Sequence, residues 1–190
     1  MGKARQLHKR AAMRLEHFDY TQGGPYFLTI CLQRRTPLLG KITDRGSVAL
    51  NPFGVMITTV WRAMPEYNPG LILDEFIVMP DHFHAIIGFV DPHIWRALWP
   101  ATTDAEVDQD DSKKFSRLSV SKIVGRFKLQ TLKHYRQGVT ESGWPTYAGQ
   151  LWQRGYWDRI VRSERDLQSH REYIYNNVWK KHLDRITDSP

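Results

Sequence analysis

The 190 residues carry 27 Lys+Arg against 20 Asp+Glu, a formal charge of +7, with 41% hydrophobic and 12% aromatic content. That content excludes a disordered chain, and the length suits one sizeable core better than two. A single cysteine, Cys31, excludes an intramolecular disulfide framework, and no run approaches the ~20 apolar residues that span a bilayer. A cytosolic protein with a polyanionic partner is the expectation.

The N-terminal stretch "MGKARQLHKRAAMRLEHF" is basic and lacks the apolar run of a signal peptide, so residues 1–22 read as a basic arm ahead of one domain over residues 23–190. "PYFLTICLQ" is dense in aromatic and β-branched residues and predicts a strand with Cys31 as a small core residue. "LLGKITDRGSVAL" places a turn at Asp44-Arg45-Gly46 between short apolar pieces and predicts a hairpin. "PFGVMITTVWRAMP" carries apolar residues at helical spacing. The runs "LILDEFIVM" and "HAIIGFV", parted by Pro80-Asp81, predict an antiparallel hairpin at the heart of a sheet.

Residues 91–115 are acidic and aperiodic and read as a mobile insertion. "LSVSKIVGRFKLQTLKHYRQ" predicts an amphipathic helix, apolar at Val120, Ile123, Val124, Phe127 and Leu132, basic at Lys122, Arg126, Lys128 and Lys133. Those four cations are the candidate path for a nucleic-acid backbone, and Trp152, Tyr156 and Trp157 are candidates for stacking on bases. "GQLWQRGYWDRIVR" reads as an edge strand. Ser163 ahead of "ERD" predicts a capped helix start with Asp166 at the third position, and the helix then carries Tyr173 and Asn177 one turn apart on one face.

In "VMPDHFHAII" strand alternation sends His82 and His84 to the same side. Two neutral imidazoles so placed can chelate one divalent cation; the plainer reading is two partly exposed histidines near a strand start. A P-loop, a dinucleotide-binding glycine pattern, paired-cysteine zinc ligands and a nucleophile elbow are all missing from the sequence.

The succession "VMPDHFHAII", "IVGRFK", "LWQRGYWDRIVRSERDLQ" and "REYIYNN" closely resembles the REP-associated tyrosine transposases of the single-tyrosine HUH superfamily, over nearly the whole chain. The resemblance implies an α+β fold: a ferredoxin-like antiparallel sheet with helices on one face, plus a C-terminal helix bearing the tyrosine. It implies Tyr173 as nucleophile, His82 and His84 as metal ligands with Asn177 as the third, and Mg²⁺ or Mn²⁺ as the metal. The reaction implied is cleavage and strand transfer of single-stranded DNA beside a palindromic hairpin through a 5′-phosphotyrosine. The partners are hairpin DNA and no membrane, with the site built in one chain or across a homodimer. The alternative is a domesticated relative that binds hairpin DNA and is catalytically silent. Tyr175, some 200° around the helix from Tyr173, is read as a packing or stacking residue. Where the family continues with proline after this tyrosine turn, Asn177 is followed here by Val178, which lets the helix run on.

Overall fold

The computed structural model describes residues 25–44, 46–68, 70–89, 118–147 and 149–187, with side chains as far as Asn177. The basic arm at 1–22 and the insertion at 91–115 lie outside the described residues.

Strand β1 (Tyr26–Cys31) is followed by a 3-10 turn (Gln33–Arg35) and the hairpin β2 (Gly40–Ile42) and β3 (Val48–Leu50). Helix α1 (Pro52–Ala63) and strands β4 (Leu71–Met79) and β5 (His82–Phe89) come next, then α2 (Val120–Ser142), β6 (Trp157–Ile160) and α3 (Glu164–Thr187). The main sheet has the order β4-β5-β1-β6 and is antiparallel at every pairing. The order of elements, β1-α1-β4-β5-α2-β6, is the βαββαβ succession of a ferredoxin-like α+β fold, with the β2-β3 hairpin inserted between β1 and α1. The edge strand is shorter than "GQLWQRGYWDRIVR" suggests: upstream of it only an isolated Leu32–Trp152 bridge forms.

Local chemistry explains the helix bounds. Asn51 caps α1 by accepting from the Gly54 amide at 2.9 Å, with Pro52 in the first turn, where its missing N–H is harmless. Ser119 caps α2, and Gly143 ends it in the left-handed conformation at φ 65°. Both helices bury their apolar stripes on one face of the sheet, against Tyr26, Leu28, Ile30, Phe83, Ala85 and Ile87. Trp61, Phe83 and Phe127 meet there with ring centroids 4.8–5.1 Å apart.

The resemblance sets the C-terminal helix apart from the helices on one face without placing it. In the structure α3 covers the opposite face, where Leu167 and Ile174 pack with Ile86 and Val161. That smaller cluster is enough to cover the side of the sheet bearing Phe27, Thr29, His82 and His84. The helix also runs on past Asn177 to Thr187, as the absence of a proline there predicts.

Candidate active site

β5 begins directly after the Pro80-Asp81 turn, so alternation puts His82 and His84 on the α3 side together with their cross-strand partners Cys31 and Thr29. Each histidine is held by its Nδ1. His82 Nδ1 lies 2.6 Å from Asp81 Oδ1, and His84 Nδ1 lies 2.8 Å from Thr29 Oγ1. With Nδ1–H as the donor in both, each Nε2 keeps its lone pair, and the two Nε2 atoms face one another at 3.0 Å. Neutral rings in that tautomer oppose two lone pairs, an arrangement that a shared proton or a cation relieves. Two bonds of ~2.1 Å at a right angle span ~3.0 Å, so the pair fits two adjacent corners of an octahedral cation.

The rings are 5% and 4% exposed, not the partly exposed pair of the plainer reading. Asp81 and Thr29 were missed from the sequence as partners of the pair; the Asp-His adjacency in "PDHFH" is the signal for the first, and nothing local marks the second. Asp81 Oδ2 in turn meets Arg35 Nε at 3.3 Å. Arg34 and Arg35 both take left-handed backbone angles, φ 57° and 55°, conformations that non-glycine residues adopt at a cost. This turn also lets the Arg35 guanidinium donate to Cys31 Sγ at 2.9 Å, and Cys31 is buried as expected.

α3 starts as its sequence predicts: the Asp166 amide donates to Ser163 Oγ at 3.1 Å, while Asp166 Oδ2 accepts from the Arg162 amide at 3.2 Å. Three turns on, the helix lays Tyr173 over the sheet, edge-on to His84 at 5.3 Å and to Phe27 at 5.7 Å between centroids. Tyr173 is 44% exposed, with its ring beside that of His84. Asn177 is buried one turn further along the same helix. Among the described residues no group of three or more His, Cys, Asp or Glu side chains is placed to hold a metal ion. Tyr173 opens into a groove of ≈ 550 Å³ between β6 and α3, shared with Phe27, Thr29, Trp157, Ser169 and His170. Tyr175 is 86% exposed and lines a different groove, with Arg62, Asp74 and Phe76.

The predicted basic face of α2 divides. At 100° per residue Lys122, Arg126 and Lys133 fall within about 40° of one another, and Lys128 about 120° away. All of the first three are exposed. Arg126 donates to Asn68 Oδ1. Lys128 turns to the loop before β6, where its ammonium donates to the carbonyls of Gln153 at 2.8 Å and Gly155 at 2.9 Å and packs over the Tyr156 ring. Burial lowers it to about 8. Of the stacking candidates, Trp152 is in the core with its indole N–H donating to Thr131 Oγ1 at 2.8 Å, while Trp157 stays half exposed.

No family model matches the chain. An uncharacterised protein of Haemophilus influenzae is 31% identical over 180 residues, spanning 92% of this chain and 92% of its own length. A second Haemophilus influenzae protein, provisionally named a REP-associated tyrosine transposase, is 26% identical over 177 residues, across 90% of this chain and 80% of its own. A solved structure of a REP-associated tyrosine transposase bound to a REP hairpin is 22% identical with a TM-score of 0.47, covering 89% of this chain and 74% of that one. Among the described residues no helix is long and apolar enough to cross a membrane.

Proposed function

We propose that the chain, which shares 26% identity over 90% of its length with a protein provisionally named a REP-associated tyrosine transposase, cuts and rejoins single-stranded DNA beside a hairpin, with Tyr173 as the nucleophile. The observation that carries this reading is the convergence of His82 Nε2 and His84 Nε2 at 3.0 Å, with the half-exposed Tyr173 ring edge-on to His84 at 5.3 Å between centroids. A buried pair of imidazoles, each locked by a partner on Nδ1, is a preorganised two-point chelate. His82 and His84, with Asn177 from α3, would hold a divalent cation, Mg²⁺ or Mn²⁺. Such a cation, when bound, supplies Lewis-acid polarisation of a phosphate oxygen.

The chain's own residues do the rest. Tyr173 Oη forms a bond to phosphorus as the bond from phosphorus to the 3′-oxygen breaks. The phenol gives up its proton and the departing oxygen takes one up, leaving a 3′-hydroxyl and a 5′-phosphotyrosine. The ester conserves the bond for a later joining step. Phe27 and His84, packed edge-on around the ring, limit its rotation and hold the hydroxyl at the groove. Lys122 and Lys133, exposed on α2 across the sheet from Tyr173, serve as phosphate contacts for a part of the DNA remote from the scissile bond.

The test is mass spectrometry of the protein after incubation with hairpin DNA and Mg²⁺ or Mn²⁺. Tyr173→Phe abolishes both cleavage and the covalent adduct and keeps hairpin binding, because only one oxygen is lost; Tyr175→Phe keeps both. An adduct on Tyr175, or one surviving in Tyr173→Phe, overturns the assignment. Hairpin binding by the unaltered protein with no adduct under either metal identifies the catalytically silent relative instead.

A further inference from the structure

We propose that the groove between β6 and α3 seats one unpaired nucleobase, with Trp157 as its stacking platform, and that this base belongs to the nucleotide joined to the phosphate that Tyr173 attacks. The proposal rests on the reading of Tyr173 as nucleophile and adds the specificity-determining contact beside it.

Trp157 is half exposed on an edge strand, whereas Trp61 and Trp152 are buried. Its place in the sheet is exact by register: Trp157 pairs with Thr29, and Thr29 pairs with His84. The three side chains therefore form one row on the α3 face. With strands ~4.8 Å apart, the indole stands ~10 Å from the histidine pair. That is the reach from a phosphate held at the histidines, through one sugar, to its base.

The groove's shape and chemistry suit the same occupant. Its volume of ≈ 550 Å³ falls within the roughly 300–1,000 Å³ of clefts that enclose one small ligand. Phe27 and Thr29 of β1 line it opposite Ser169 and His170 of α3; the Ser169 hydroxyl and His170 Nδ1 bond to carbonyls of their own helix, and Asp158 and Asp166 add carboxylates that accept from the amino groups of a base. Arg159, two residues along β6 on the same face and largely exposed, lies 3.5 Å from Asp166 at the rim, positioned to meet a neighbouring phosphate. Stacking on Trp157 needs an open π-face, which only an unpaired base offers.

The experiment is a coupling measurement in the Tyr173→Phe background, which binds without cutting. Hairpin oligonucleotides carry an abasic site at each unpaired position in turn, and their affinities are measured for Trp157, Trp157→Phe and Trp157→Ala proteins. At one position, loss of the base weakens binding to the Trp157 protein about tenfold. Trp157→Ala loses about the same factor on the intact oligonucleotide and is then indifferent to that abasic site, and Trp157→Phe keeps most of the affinity. Losses that simply multiply at every position, or a Trp157→Ala protein that binds as tightly as its parent, overturn the proposal. If the coupling appears while the unaltered protein forms no adduct at Tyr173, the base seat stands and the nucleophile assignment falls.

Discussion

The two oxygens of Asp81 are divided between His82 Nδ1 and the Arg35 guanidinium. A carboxylate so placed orients the His82 ring through Nδ1, as Thr29 does for His84. Removing it leaves a buried imidazole with a rotatable ring. Asp81→Ala is therefore expected to weaken Mn²⁺ binding about 10–100-fold while hairpin binding in metal-free buffer holds. Titration calorimetry reads the first and a gel shift the second; unchanged Mn²⁺ affinity would mean that the histidines do not hold the ion. At this scale the sequence shows the histidine pair because its signal has a two-residue period, whereas Asp81 was missed as a partner although it adjoins the pair in the chain. Thr29 is 55 residues from His84 and meets it only through strand register, which no local pattern encodes.

Helix α3 owes its seat to a break in β4. Between Leu73 and Phe76 the strand advances three residues while β5 advances two, from Ile87 to Ala85, so one extra residue bulges out and both Asp74 and Ile77 face α3. Asp74 Oδ2 there accepts from Arg171 Nε at 2.8 Å and Nη2 at 2.7 Å, two residues before Tyr173. Burial raises the Asp74 carboxyl even with the guanidinium beside it. The pair is consequently asymmetric under mutation. Arg171→Ala strands a buried carboxylate and is expected to cost about 3 kcal/mol, a deficit that shrinks as falling pH protonates Asp74. Asp74→Ala costs less, because the partly exposed Arg171 can turn to water. Urea melts of both variants at neutral and acidic pH decide it; a larger loss in Asp74→Ala would reverse the account. The start of α3 is legible in Ser163 and Asp166 because capping is local. Its side of the sheet is not, since Leu167 and Ile174 make too thin an apolar stripe to announce a face.

Across the whole molecule the sheet separates two faces, with the large aromatic core on the α1-α2 side and the histidine pair and Tyr173 on the α3 side. The βαββαβ succession was readable from periodicity and turns, but the order β4-β5-β1-β6 was not, because pairing between distant strands is a tertiary property. Lys128 ties the two faces together: it leaves the α2 stripe to hold the carbonyls of Gln153 and Gly155, the loop that delivers Trp157 to the far side. Its charge is carried at a desolvation cost, which lowers it from 10.5 to about 8. The folded chain thus releases this proton before the unfolded chain does. Between about pH 8 and 10.5 the unfolded state binds more protons at this site, so the site's contribution to stability rises with pH across that window and is flat below it. Lys128→Met, which keeps the stem and removes the charge, is expected to abolish that rise while lysines on the surface titrate alike in both proteins. The check is the difference in urea midpoint between the two proteins across the window. A difference that does not move with pH, or one that grows in favour of Lys128→Met as pH rises, would show that the ammonium is not held against desolvation and that the loop before Trp157 is fixed by something else.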